Sequence, residues 1–148
     1  MVPLIENRRA RHEYTILEQL EAGIVLEGLE VKSLRGKRAN IHDAFVKIMH
    51  GEVYLINARI EQYATTAHIN YDPTRSRKLL LKKRQVRSLE DQLHTKGLTA
   101  VPLMIGLSGN YVKVLVGIGK GKKDYDKKAV LKKRDLQRES DAAMKRYR

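Results

Sequence analysis

Two pairs of apolar runs, each folded about a glycine-bearing turn, constrain this chain more than any other feature. Leu103, Ile105 and Leu107 occupy every second position before Ser108-Gly109-Asn110, and Val112, Val114, Val116 and Ile118 do so after it. A period of two sets one face of each run against a core, and glycine admits positive φ in the turn, so the pair reads as an antiparallel hairpin. Phe45 to Ile48 and Val53 to Ile60 flank His50-Gly51 in the same manner. His12 to Leu26 also reads as extended, with a bulge or sharp bend expected at Gly23.

Helical signals are fewer. Glu27 to Arg35 places Val31 and Leu34 three apart, with Gly36 as the stop. Leu79, Val86, Leu89 and Leu93 recur at seven, three and four residues, which predicts one long helix starting soon after Asp72-Pro73 and capped by Gly97. Its outer face would carry Lys82, Lys83, Arg84 and Arg87. Strands and helices do not alternate. About six antiparallel strands with helices across the ends imply a small barrel, mainly β with flanking helices, because closure removes exposed strand edges.

The chain beyond that barrel is of another kind. Residues 119–148 hold twelve Lys/Arg against five Asp/Glu, a net +7 of the +13 carried by the whole chain. Only Val130, Leu131, Leu136 and Met144 among them are large and aliphatic, too little apolar surface to offset ordering entropy. Ala129, Leu136 and Ala143 fall seven apart, a narrow stripe that suits a segment folding only when bound. Two units follow: a domain over 1–118, large enough for one core, and a basic tail over 119–148, disordered when free. The domain alone has eighteen Lys/Arg against twelve Asp/Glu, so both parts call for a polyanion, with nucleic acid foremost.

Cysteine is absent, which removes disulfides, thiolate metal sites and a cysteine nucleophile. No apolar run approaches the roughly 18–20 residues of a membrane span, and Met1 to Glu6 lacks the layout of a signal peptide. A soluble cytoplasmic protein that does not engage membranes is the expectation.

Three cationic motifs stand out. Arg8, Arg9 and Arg11, followed by His12 and Tyr14, combine phosphate-gripping guanidiniums with rings that stack on bases; a solvated arm leading into a strand explains them equally well. Arg75, Arg77 and Lys78 crowd the turn before the expected long helix, where free N–H groups favour anions. Gly117 to Lys123 has neither the spacing nor the hydroxyl of a phosphate loop and reads as a flexible basic hinge. For catalysis the chain is poor. Its five histidines show no metal-ligand spacing, and His42-Asp43 reads as a polar turn before a strand, so no catalytic residue, metal site or cofactor is expected. Glu21, Glu27 and Glu30 are the densest carboxylates, suited to orienting arginines or to accepting from base amino groups, with plain solvation the commoner case.

Taken in order, a set of segments resembles one family. They are Asn7 to Tyr14, Glu21 to Gly23, Gly28 to Arg35, Ala39-Asn40, Gly51 to Leu55, Asp72 to Leu81, Lys96-Gly97, Val101 to Leu103 and Gly119 to Lys128. The family is that of the SsrA-binding proteins (small protein B) of bacterial trans-translation. The resemblance implies an oligonucleotide-binding-type (OB-like) barrel that binds tmRNA at its tRNA-like domain and delivers it to stalled ribosomes. It implies no enzymatic activity; alanyl-tRNA synthetase and elongation factor Tu would be met indirectly, through the RNA. By matching position Asn7, Arg8, Arg11, His12, Tyr14, Glu21, Lys32, Arg35, Arg75, Arg77, Lys78 and Leu80 are expected on the RNA-facing side, with Leu80 against unstacked bases. The tail would become helical in the mRNA channel of the small subunit. There Lys120, Lys122, Lys123, Tyr125, Asp126, Lys127, Lys128, Lys132, Lys133 and Arg134 would contact the ribosome, Tyr125 by stacking near the decoding centre. Gly36 directly follows Arg35, where family members usually carry an intervening residue, so the short helix should end early. A monomer is expected. The competing function is a ribosomal or ribosome-assembly protein that binds rRNA with the same barrel and tail.

Overall fold

A computed structural model describes residues 1–63, 71–95 and 97–122. The described chain forms β1 (Val2–Glu6), α1 (Arg8–Glu13), β2 (Tyr14–Ile24), α2 (Gly28–Arg35), β3 (Ala39–Asn40) and β4 (Phe45–Met49). It continues through β5 (Glu52–Ile56), β6 (Arg59–Ile60), β7 (Arg77–Leu80), α3 (Lys83–Leu93), β8 (Leu98–Ser108) and β9 (Tyr111–Gly121).

The main sheet runs β1-β8-β4-β5-β7-β2-β9, and β9 returns to pair with β8. Six strands therefore close into an antiparallel ring, with β1 added along β8, as the alternating runs led one to expect. The two expected hairpins are β4–β5 and β8–β9. His50 and Gly51 both take positive φ, 53° and 77°, the twist that joins two strands through a two-residue turn. Inward side chains include Ala22, Val46, Val53, Leu55, Leu79, Ala100, Ile105, Val114, Val116 and Ile118. Leu34 of α2 and Leu89 of α3 complete this core. Burying a leucine of that kind contributes about 1.5–3 kcal/mol.

The alternation in β8 breaks where the sequence shows none. Its register to β9 slips between Pro102 and Met104, so Leu103 becomes an extra residue. Leu103 and Val101 therefore leave the barrel interior and pack with Ala10 of α1 in a second, outer cluster, while Ile105 stays inside. The bulge gives α1 an apolar seat on the barrel's outside.

Several sequence expectations need correction. His12 and Glu13, expected in the extended run, close a helix over Arg8–Glu13, because the Asn7 side chain accepts the Ala10 N–H at 3.2 Å and Ala10 docks on that outer seat. The long helix begins at Lys83, where the Lys82 N–H donates to the Gln85 side chain at 2.9 Å. Leu79, whose spacing to Val86 mimicked a helical repeat, belongs to β7 and is opposite Val53 and Ile24. Pairing on both edges prevailed over a coincidental period. That helix ends at Leu93, so Gly97 (φ 88°) serves the turn into β8 and not a helix cap. Gly36 does end α2, but with negative φ; Lys37 takes the left-handed conformation at φ 61°. The expected hinge at Gly117 to Lys123 is strand as far as Gly121, with Gly119 opposite Ile16 and Thr99. His42 and Asp43 form the expected turn.

Candidate nucleic-acid interface

The exposed cations are carried by rigid elements. Arg8, Arg11 and His12 are exposed on α1, and Tyr14, half-buried against the Ala10 cluster, starts β2. Tyr14 pairs with Gly121, which carries the basic end of β9 to the end of α1. There Lys122 donates to the Arg11 carbonyl at 3.3 Å, and Lys120 is exposed one residue before Gly121. Four positive or titratable side chains, Arg11, His12, Lys120 and Lys122, thus share one rim of the barrel.

A second group surrounds α2. Lys32 and Arg35 are exposed on it, and the Lys32 ammonium stands 5.5 Å from the Tyr63 ring centroid. Beneath them Glu30 is buried and anchors the turn leading into β7. Its two carboxylate oxygens accept from Arg75 at 2.5 and 3.1 Å, from Arg77 at 2.8 and 3.1 Å, and from the Tyr71 hydroxyl at 3.1 Å. Burial pushes this carboxyl up, but hydrogen bonds from Arg75, the Glu27 N–H and Arg77 outweigh it and hold Glu30 below the usual carboxylate range. Burial and the nearby carboxylate push the Tyr71 phenol up.

A third group lies on the outer face of the ring. Gly23 of β2 stands opposite both Leu80 of β7 and Lys113 of β9. A Cβ on Gly23 would come within 3.3 Å of the Leu80 Cβ, so the absent side chain gives Leu80 its place. Leu80 is 52% exposed. Glu21, two residues before Gly23, is exposed on the same outer face, since Ala22 between them points inward. Lys78 shares that face but pairs with Glu52 at 3.1 Å.

Two residues expected to face RNA do not. Arg77 has no exposed surface: besides Glu30 it bonds the carbonyls of Ala58, Pro73 and Arg75 at 2.8–3.0 Å. Asn7 is buried as well, its amide donating to the carbonyls of Ile41 and Pro102 at 3.1 and 2.9 Å. Both are structural because each sits where backbone carbonyls of separate segments converge. Arg75 keeps 31% of its side chain exposed and remains available. Lys123, Tyr125, Asp126, Lys127, Lys128, Lys132, Lys133 and Arg134 lie outside the described residues.

The sequence left Glu30 between orienting arginines, accepting from base amino groups and solvation; full burial against two guanidiniums selects the first. Lys113 was missed, since only strand register brings it beside Gly23. Lys37 spends its ammonium on the Leu4 carbonyl at 3.0 Å. Among the described residues no group of three or more His, Asp or Glu is placed to hold a metal ion. No helix there is long and apolar enough to cross a membrane.

Known proteins resemble this chain over nearly its whole length. The family model described as SmpB protein matches residues 4–146. An SsrA-binding protein of Halalkalibacterium halodurans is 47% identical over 142 residues, covering 96% of this chain and 92% of the relative. One from Gloeobacter violaceus is 48% identical over 143 residues, covering 97% and 94%. A solved structure described as "tmRNA-SmpB: a journey to the center of the bacterial ribosome" superposes with a TM-score of 0.68 at 49% identity. It covers 79% of this chain and 82% of its own. With its barrel, its cationic rim and a match running through nearly its whole length, the chain belongs to the SmpB family of SsrA-binding proteins.

Proposed function

We propose that this chain binds tmRNA at its tRNA-like domain and brings it to stalled ribosomes for trans-translation. The observation that carries this is the conjunction of family membership over 4–146 with exposed cations fixed on three separate elements of one barrel. Phosphates are met by Arg8 and Arg11 on α1, by Lys32 and Arg35 on α2, and by Arg75 beside it. Backbone contacts of this type set affinity and register. Leu80 offers an apolar surface to unstacked bases, and Glu21 accepts from base amino groups on the same face; sequence-specific RNA recognition generally uses unpaired elements in this way. The role is one of binding and delivery, not chemistry. Alanyl-tRNA synthetase and elongation factor Tu would be engaged through the RNA.

The barrel and tail divide the work. The tail lysines, Arg134 and Tyr125 engage the small ribosomal subunit, while the barrel holds the RNA. Because β9 extends to Gly121, the separation is tested by ending the chain after Lys122 and not after Ile118. The decisive experiment measures binding to tmRNA and to an ordinary tRNA across a salt series, for the full and the shortened chain. A tmRNA preference that persists at high salt, retained on shortening while ribosome rescue is lost, is expected. Equal binding of both RNAs that collapses together with salt would reduce the chain to a general cationic binder.

A further inference from the structure

A cleft of about 310 Å3 opens between α1 and the turn that precedes β4. This is at the lower end of the range of about 300–1,000 Å3 typical of small-ligand sites. Tyr14 and Phe45 line it with aromatic rings, and Glu13, His42, Asp43 and Thr99 with polar groups. None of the contacts described so far uses it.

Its shape is held from beneath. Asn7, 4% exposed, ties the carbonyls of Ile41 and Pro102 together and caps α1 through the Ala10 N–H, so the three segments around the cleft are bonded to one side chain. A preformed cleft costs a ligand little ordering. The chemistry is selective too. Two carboxylates against one imidazole disfavour an anionic ligand, and ring faces favour a flat one. Asp43 already has a cation, Arg9, at 3.5 Å. Glu13 has no hydrogen bond or ion pair among the described residues, leaving both of its oxygens as acceptors. Arg9 of α1 stands beside this aromatic cleft through its pair with Asp43, so a phosphate backbone can pass there while a base turns inward.

We propose that the cleft receives one unpaired RNA base, stacked on Phe45, with the amino or imino N–H groups of its edge donating to Glu13. The inference rests on the RNA-binding function proposed above and adds a base-recognition site to it. The base belongs either to tmRNA or to ribosomal RNA; the chemistry is the same, and the two are separated by experiment.

The chain has no tryptophan, so Phe45→Trp in the full protein places a single reporter at the cleft. Phe45 is 38% exposed, and the exchange leaves the core untouched. The emission is followed during titration with the tRNA-like domain of tmRNA and, separately, with vacant small ribosomal subunits. Quenching by one of the two is expected, as a stacked base quenches indole. Phe45→Ala should then weaken binding to that partner by about 5- to 150-fold, the span of one base stack. Glu13→Gln should weaken it several-fold at an unchanged melting temperature, while Phe45→Ala, giving up a ring 38% exposed, should lower the melting temperature by a few degrees and remain folded. Emission that responds to neither RNA, together with undiminished binding of Phe45→Ala to both, overturns the base site and leaves the RNA-binding function standing. Loss of RNA binding by the unsubstituted chain would instead remove the function itself. Quenching by a lysine-rich peptide but by neither RNA would assign the cleft to a cationic side chain and also overturn the proposal.

Discussion

Replacing Glu30 by glutamine should be among the most damaging single-atom changes available in this protein. The Glu30 and Arg77 side chains are 1% and 0% exposed, and Arg77 directs Nε and Nη2 to the carboxylate at 3.1 and 2.8 Å. The carboxamide keeps the shape but removes the only negative charge hydrogen-bonded to that guanidinium among the described residues. Arg77 would retain its bonds to Ala58, Pro73 and Arg75, so its donors stay partly satisfied while its charge does not. Breaking a buried pair from one side costs about 3–5 kcal/mol, against a total of about 5–15 kcal/mol for a domain. The melting temperature should fall on the order of 10–20 °C.

Urea unfolding at neutral pH measures the loss, with Glu21→Gln as an exposed control expected within about 0.5 kcal/mol of the native chain. The pH dependence provides a second check. The folded carboxyl is held below its usual range, so its contribution is fully present above the unfolded value of about 4.3. It is lost as pH falls through the folded value. The gap between native and Glu30→Gln proteins should therefore narrow only below about pH 4.3. A substituted protein within about 1 kcal/mol of native at pH 7, or a gap that is flat with pH, would refute the idea that this pair holds the 71–77 turn to α2.

Arg75→Ala and Arg77→Ala should part company. The first is expected to fold and to reduce the salt dependence of RNA binding by roughly 0.7–0.9 of a unit of slope, one phosphate contact; the second should chiefly lower the melting temperature. Leu80→Ala should leave stability unchanged, since Leu80 is half exposed. It should weaken tmRNA binding by about fivefold or more, the equivalent of roughly 1 kcal/mol from a lost base contact, read in a filter-binding titration. Gly119→Ala places a Cβ 2.3 Å from the Thr15 carbonyl oxygen, where only backbone can yield. A loss of about 1–3 kcal/mol in urea unfolding, with faster amide exchange along β2 and β9, is expected.

How much was legible in the sequence depended on the range of the interaction. The hairpins β4–β5 and β8–β9 were readable because period and turn chemistry are local. The family was readable because many short motifs recur in order. The helix α1 was not, since its six residues show no apolar stripe and are held by Asn7 and by a bulge at Leu103 ninety-odd positions away. The strand β7 was missed for the same reason: Leu79 fits a helical period equally well, and only the edges of β2 and β5 select the strand.

The candidate site divides along the same line. The sequence alone determined that the partner is a polyanion, because net charge needs no fold, and it placed the basic clusters. Tertiary structure alone decided which of those cations face solvent. Arg75 and Arg77 are two residues apart and chemically identical, and both pair with the buried Glu30, yet only Arg75 also reaches the surface. Burial is a property of converging segments, and no local pattern of residues encodes it.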